Sequence, residues 1–173
     1  MKCLQRFAFA LAFAFCAILP ASAAEYLHMD LKQGRVVIEL RPDLAPRHVA
    51  RIKELADKGF YDGIIFHRVI AGFMAQTGDP TGTGTGGSGQ RLQAEFTKTQ
   101  FRRGTVGMAR SQALNSADSQ FFICFTSVPS LDGQYTVWGQ VVKGMEFVDQ
   151  IQKGEPPRNP DRIVRMRVSQ TAE

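Results

Sequence analysis

The chain has few of the residues that mark disulfide-rich or metal-binding proteins. Its 173 residues include three cysteines, three histidines and one tryptophan. Cys3 and Cys16 fall in an N-terminal segment that resembles a cleaved signal peptide, and its removal leaves Cys124 as a lone thiol that cannot form an internal disulfide. Because Cys124 lies in the apolar run Phe121 to Phe125, we expect a small buried hydrophobe rather than a nucleophile. The histidines show no ligand spacing, so we predict no metal site.

No apolar run reaches the roughly twenty residues that a membrane span needs. The longest run, Phe7 to Leu19, follows Lys2 and Arg6 and precedes the small residues Ala21-Ser22-Ala23. A positive start, an apolar core and a small-residue end are typical of a secretory signal peptide. The sequence therefore predicts a cleaved signal over residues 1–23, with cleavage after Ala23 or the next residue.

A lipid anchor at Cys16 is the alternative for this segment. It is disfavoured because Phe15 stands where lipobox sequences carry a small residue. Residues 24–173 have the length of one domain with an adequate core. We expect a single domain there, without a stable membrane anchor.

The sequence also lacks a concentrated charge of one sign. Its formal net charge is +5, and the predicted signal carries two of the positive charges and no acid. The remaining arginines are dispersed and form no stripe interleaved with aromatic residues. This pattern favours a solvated surface over nucleic-acid binding.

Hydrophobic periodicity predicts strands at both ends of the domain and few helices. Alternating apolar residues indicate strands near residues 27–31 and 36–40, joined by a turn at Gln33-Gly34. A helix should run from Pro46 to Gly59. We expect His48 on the exposed side of that helix and assign it no chemistry.

The rest of the chain reads as short strands punctuated by glycine. A second amphipathic stretch, Met145 to Lys153, has helical spacing. Because strands and helices do not alternate, an antiparallel barrel fits better than a parallel sheet. The predicted strands lie near residues 64–70, 73–76, 105–109, 121–125, 136–142 and 162–169.

The glycine-rich stretch Thr81 to Gly89 contains the pattern G-x-G-x-x-G at Gly82, Gly84 and Gly87. A dinucleotide site would need a long helix after this pattern, and the segment that follows is too short and too mixed. We therefore interpret the stretch as a flexible surface loop with positive φ angles.

Two longer motifs carry most of the functional information. Phe66-His-Arg-Val-Ile-Ala-Gly-Phe-Met-Ala-Gln-Thr-Gly-Asp79 and Asn115-Ser-Ala-Asp-Ser-Gln-Phe-Phe-Ile123 closely resemble the two halves of the cyclophilin active site. Cyclophilins are peptidyl-prolyl cis/trans isomerases. The resemblance, which covers nearly all of residues 25–170, implies a mainly β fold, a closed eight-stranded antiparallel β-barrel capped by two α-helices. With the signal, it implies a periplasmic isomerase of the bacterial type.

Rotation about an X-Pro bond makes and breaks no covalent bond, so an arginine, an amide and apolar side chains are enough to catalyse it. Rotation faces a barrier of roughly 18–20 kcal/mol, because the nitrogen lone pair is delocalised into the carbonyl. A cationic donor that meets the lone pair in the twisted amide would bind that state better than the planar one. The resemblance makes Arg68 the catalytic residue. No cofactor is required.

The resemblance also implies the substrate-binding residues. Phe73, Met74, Phe122 and Leu131 would line the proline pocket. Gln76 and Gln120 would bond the substrate backbone, the main chain of Ala109-Arg110 would pair with it, and Tyr135 would stand at the rim. His67 should point away from Arg68 as a packed, hydrogen-bonded residue.

Several positions depart from common family members. Arg110 replaces the asparagine that many of them carry. Tyr135 replaces a histidine, and Ser130 replaces a tryptophan before Leu-Asp-Gly. Tyrosine keeps an aromatic wall, so turnover should be retained. The lost indole predicts weak inhibition by cyclosporin.

The expected partners are proline-containing polypeptides that are unfolded or partly folded, bound by a monomer. One alternative is a chaperone or adaptor that holds proline segments in the same groove, with incidental turnover. The presence of Arg68 favours catalysis over holding. A secreted hydrolase is disfavoured because no metal cluster or G-x-S-x-G elbow occurs.

Overall fold

A computed structural model describes residues 24–173, so the predicted signal peptide lies outside the described residues. This part of the chain has eight strands, two α-helices and a short 3₁₀ turn at Pro129–Leu131. Over the same residues, none of the helices combines the length and apolarity that a membrane crossing requires. In chain order the elements are β1 (Tyr26–Asp30), β2 (Arg35–Leu40), α1 (Pro46–Asp57), β3 (Arg68–Ile70), β4 (Met74–Thr77), β5 (Thr105–Met108), β6 (Phe121–Cys124), β7 (Val137–Lys143), α2 (Met145–Asp149) and β8 (Arg165–Ser169).

The eight strands form one antiparallel sheet in the order β3-β4-β6-β5-β7-β2-β1-β8. The prediction of a closed barrel is wrong, since no ladder joins the edge strands β3 and β8. The seam holds only isolated bridges, Ile65 with Arg162 and Val69 with Gly154. The segment that lines it contains Pro156, Pro157 and Pro160, which have no N–H to donate to a ladder.

The sheet has apolar residues on both faces, and they pack into two separate clusters. Along β6, Phe121 and Ile123 belong to the main core, whereas Phe122 and Cys124 belong to a second, smaller cluster. Successive side chains of a strand point to opposite faces. All residues of the run Phe121 to Phe125 are buried, because alternate side chains pack into the two clusters.

Helix α1 buries Val49, Ile52 and Leu55, as their spacing predicts. Its N-terminal amides have no cap from the helix itself. Instead the Glu95 carboxylate accepts hydrogen bonds from the Arg47 N–H at 3.2 Å and the His48 N–H at 3.0 Å. A carboxylate is well suited to this end of a helix because it meets unpaired N–H groups and the positive end of the dipole.

The expectation that His48 is exposed is wrong, because its side chain is fully buried. Its Nδ1 lies 2.6 Å from the same Glu95 carboxylate. Burial lowers the pKa of His48, and the carboxylate only partly opposes that effect. A neutral ring that donates Nδ1–H to Glu95 fits this geometry. The residue therefore ties α1 to a distant loop, which helical spacing could not reveal.

The glycine-rich segment after β4 is ordered around two acids. The Asp79 carboxylate accepts hydrogen bonds from the N–H groups of Thr81, Gly84 and Gly86 and from the Thr81 hydroxyl. Asp118 accepts from the Ser88 and Gly89 N–H groups. Positive φ angles occur at Gly82, Gly84 and Gly89, as expected for such a loop.

Candidate active site

The site is built on a row of paired residues that crosses the four neighbouring strands β3, β4, β6 and β5. Arg68 on β3 pairs with Gln76 on β4, Gln76 pairs with Phe122 on β6, and Phe122 pairs with Gly107 on β5. Directly paired residues of antiparallel strands lie on the same face. The register therefore places the guanidinium, the amide and the aromatic ring side by side.

Gly107 makes room for the ring of Phe122. A Cβ atom at this position would meet Phe122 Cζ at 2.7 Å and Phe101 Cε1 at 2.6 Å. Both distances are far below normal carbon contacts, so a side chain at Gly107 would displace the rings. The ring of Phe122 therefore lies directly on the backbone of β5.

Two further aromatic rings fix Phe122. Phe101 stacks on it with centroids 5.7 Å apart and planes 25° apart, and Tyr135 meets it edge-on at 5.7 Å. Phe101 was not among the residues that the sequence singled out, because it lies in a loop without periodicity. Its neighbours in the second apolar cluster are Met74, Phe122, Cys124, Leu131 and Val137.

Phe122 and Tyr135 line a pocket of about 110 Å³ that opens on the face of Arg68, and Phe101 supports Phe122 from outside the pocket lining. Met74, Phe122 and Leu131 are almost entirely buried beneath it, whereas Phe73 is half-buried. The structure thus brings together all the predicted site residues except Gln120. The pocket is lined by Arg68, Phe73, Met74, Gln76, Ala109, Arg110, Phe122, Leu131 and Tyr135.

Gln120 lies in an adjoining polar groove of about 400 Å³. Its amide nitrogen donates hydrogen bonds to the carbonyls of Gly84 at 3.0 Å and Gly86 at 2.8 Å, and its oxygen accepts one from Gln76 at 2.9 Å. Gln120 therefore ties the glycine loop to the row of Arg68, Gln76 and Phe122. Gln76, Ala109 and Arg110 line both cavities and connect them.

Arg110 forms the wall between the two cavities. Its guanidinium donates to the Gln134 carbonyl from Nε and Nη2 and lies 4.6 Å from the centroid of the Tyr135 ring. The Ala109 N–H is already donated to the Gln120 carbonyl at 2.9 Å. A bound peptide could therefore pair with the Ala109 carbonyl and the Arg110 N–H.

Arg68 has an acidic neighbour for which the sequence contains no signal. Its Nε lies 2.6 Å from Oε1 of Glu155, which follows β7 and α2 in the chain. The Glu155 segment is rich in proline and has no periodic pattern. The sequence therefore contains no local pattern that predicts a contact between Glu155 and Arg68.

The Cys124 thiol is not activated as a nucleophile. Burial raises the pKa of the Cys124 thiol to about 12, so it stays protonated, as expected of a buried hydrophobe. Residues 24–173 contain no cluster of three or more histidine, cysteine or acidic side chains that could hold a metal ion.

His67 is buried beneath the glycine loop, with Gly84 close to its ring. The prediction of a packed residue is confirmed. Neither ring nitrogen has a hydrogen bond of normal geometry within the part of the chain that the structure describes, although a contact with the Gln120 side chain favours the charged ring. Burial lowers the pKa of His67, although the charge of Asp79 opposes this.

Comparison with known proteins agrees with this geometry. Residues 26–168 match the family of cyclophilin type peptidyl-prolyl cis-trans isomerase/CLD. A probable peptidyl-prolyl cis-trans isomerase of Brucella suis is 53% identical over 169 residues, 86% of each chain. A peptidyl-prolyl cis-trans isomerase of Helicobacter pylori is 41% identical over 134 residues, 75% of this chain and 82% of that one.

A solved structure shows the same fold. A cyclophilin-type peptidyl-prolyl cis-trans isomerase of Cryptosporidium parvum, crystallised in the presence of the dipeptide Ala-Pro, superimposes with a TM-score of 0.77 at 30% identity. The match covers 83% of this chain and 98% of that one. The chain belongs to the cyclophilin family, and it is a peptidyl-prolyl cis-trans isomerase.

Proposed function

We propose that Arg68 is the catalytic group and acts only on the twisted X-Pro bond. The observation that carries this assignment is that the guanidinium stands at the rim of an apolar pocket, on the same sheet face as Gln76 and Phe122. When the amide twists, the lone pair returns to nitrogen and can accept a hydrogen bond. A fixed cationic donor stabilises that state more than the planar one.

The apolar pocket would hold the proline ring while the preceding residue rotates. Met74, Phe122 and Leu131 form its buried floor and walls, Phe73 and Tyr135 its rim. Gln76 and Gln120 would bond the peptide backbone, together with the main chain of Ala109 and Arg110. The Ala-Pro dipeptide named for the C. parvum relative supports a proline ligand for this groove.

We further propose that the enzyme acts on exported chains that are folding in the periplasm, as a monomer and without a cofactor. The support is the signal-like segment at residues 1–23. Intact-mass measurement of the exported protein tests this proposal. A mature chain that begins after Ala23 or Ala24 and carries no added mass is expected. A mass increment that fits acylation at Cys16 would contradict it.

The alternative function is a chaperone or adaptor that holds proline segments with incidental turnover. A protease-coupled assay on a proline peptide separates the two functions. If Arg68 stabilises the twisted amide, Arg68→Ala should lower kcat/KM by on the order of 10²–10³. Arg68→Lys should restore little, because lysine lacks the rigid planar fork.

Arg35→Ala is the matched control for this experiment. Arg35 is similarly exposed and pairs with one acid, Asp30, at 2.7 Å, but it lines neither cavity. Its replacement should leave kcat/KM unchanged. Near-normal turnover by Arg68→Ala would mean that the catalytic group lies elsewhere, and negligible turnover by the unmodified protein would favour the holding function.

A further inference from the structure

The Glu155 carboxylate contacts Arg68 at the edge of the pocket, with 2.6 Å between Oε1 and Nε. We propose that Glu155 is a positioning residue for the isomerisation, which orients the Arg68 guanidinium toward the X-Pro bond. The inference rests on the catalytic role proposed for Arg68. It assigns to Glu155 an effect on turnover that an ordinary surface ion pair would not have.

The backbone beside this pair holds the two residues in register. Val69 and Gly154 exchange two main-chain hydrogen bonds, each of 2.8 Å. They are the immediate neighbours of Arg68 and Glu155. A Cβ atom at Gly154 would lie 2.5 Å from the Pro157 Cα, so the segment turns tightly at this point. The carboxylate therefore projects from a fixed main chain next to the arginine.

The ion pair also leaves most of the guanidinium available. Only the Nε of Arg68 has a hydrogen-bond partner among residues 24–173. Four other arginines in that range bind an aspartate through two nitrogens each: Arg35, Arg41, Arg103 and Arg167. Glu155 thus fixes one corner of the guanidinium and leaves both Nη nitrogens for a substrate.

The negative charge of Glu155 has an opposing effect, since it reduces the positive potential at the guanidinium. The Arg68 and Glu155 side chains are 42% and 51% exposed, so water and salt screen this effect. Orientation is not screened in this way, and a reacting group displaced by about 1 Å can lose on the order of a hundredfold in rate. The orienting effect should therefore dominate, and the removal of Glu155 should slow turnover.

The test uses Glu155→Ala and Glu155→Gln in the protease-coupled assay. Glu155→Ala should lower kcat about 5- to 20-fold, with KM changed less than about twofold, because the planar ground state makes little use of the guanidinium. Glu155→Gln should recover part of this loss, since its amide oxygen can still accept from Nε. The melting temperature should fall by no more than about 3 °C, as for an exposed ion pair.

Asp149→Ala is the matched control. It breaks the Arg103–Asp149 pair, whose side chains are 50% and 43% exposed and which lies outside both cavities. A similar small change in melting temperature with unchanged kcat is expected. A comparable loss of kcat in Asp149→Ala would show that the effect of Glu155 is general destabilisation, and would overturn the inference.

A double-mutant cycle completes the test. When Arg68 is already alanine, Glu155→Ala should cause no further loss of kcat/KM. If Arg68→Ala is impaired but Glu155→Ala has wild-type kcat, the positioning role is wrong and the proposed function stands. If Glu155→Ala is faster than the wild type, Glu155 restrains the arginine instead. Normal turnover of Arg68→Ala would overturn both proposals.

Discussion

The two halves of the groove are built in different ways. The proline pocket is anchored on paired strands, which carry Arg68, Met74, Gln76 and Phe122. Phe122 is fixed there by a stacked ring, an edge-on ring and a glycine beneath it. The polar groove is lined mainly by loops, whose shape depends on hydrogen bonds to Asp79 and Asp118. Strand register preorganises the part that we propose holds the reacting bond. The loop-built part can vary without disturbing that register, which suits recognition of the residues around proline.

Apart from Arg68 itself, the largest loss of activity is expected at Gly107, beneath the strand-built half of the groove. In Gly107→Ala the added methyl group collides with Phe101 and Phe122, so the Phe122 ring must move off β5. Because misplacement by about 1 Å is enough, kcat/KM should fall by roughly a hundredfold. Steady-state kinetics on a short proline peptide measures the loss.

Gly139→Ala provides the control for overpacking. A Cβ at Gly139 would meet Ile38 Cγ2 at 2.7 Å, on the side of the main core. Both variants should lose about 1–3 kcal/mol of stability. Only Gly107→Ala should lose activity per folded molecule. Equal losses of activity would mean that turnover depends on general stability and not on the position of Phe122.

A smaller effect is expected from the loop-built half. Asp79 is buried and accepts four hydrogen bonds, so Asp79→Asn should cost about 1–3 kcal/mol of stability by replacing an acceptor with a donor. For peptides that extend into the polar groove, we expect KM to rise about three- to fivefold through loss of the loop's backbone bonds. Ala-Pro-sized substrates should turn over normally. An equal loss for short and long peptides would contradict the division of the groove.

The smallest effect is the pH dependence of stability at Asp79. Burial alone would raise the pKa of this carboxyl, but its hydrogen bonds outweigh that and hold the pKa below the usual range. A lowered folded pKa stabilises the protein above the unfolded value, about pH 4, and the contribution is lost as the pH falls through the folded pKa. The melting temperature should drop more steeply between pH 5 and pH 3 in the wild type than in Asp79→Asn. Parallel curves would exclude this contribution.

The sequence predicted local elements well because their signals are local. Alternation gave β1 and β2, and the apolar face of α1 followed from its helical spacing. Closure of the sheet was mispredicted, since it depends on how a proline-rich segment meets residues far away in the chain. His48 was misplaced for a similar reason. Its burial depends on Glu95, a partner from a distant loop.

For the site, the motifs identified residues that the structure brings together around Arg68, with Gln120 alongside. The supporting contacts could not be predicted. Phe101 and Glu155 lie in irregular segments, and each acts by touching a motif residue that is distant in sequence. The motif specifies the groups that we propose contact the substrate, whereas tertiary packing specifies what holds them.

In the proposed mechanism Arg68 provides the rate, and the apolar pocket provides the affinity. NMR exchange spectroscopy on one proline peptide reports both the dissociation constant and the rate of cis/trans exchange on the enzyme. For Arg68→Ala we predict a dissociation constant within about threefold of the wild type and exchange slower by on the order of 10²-fold. Wild-type exchange in this variant, or a loss of affinity that matches the loss of rate, would contradict the claim.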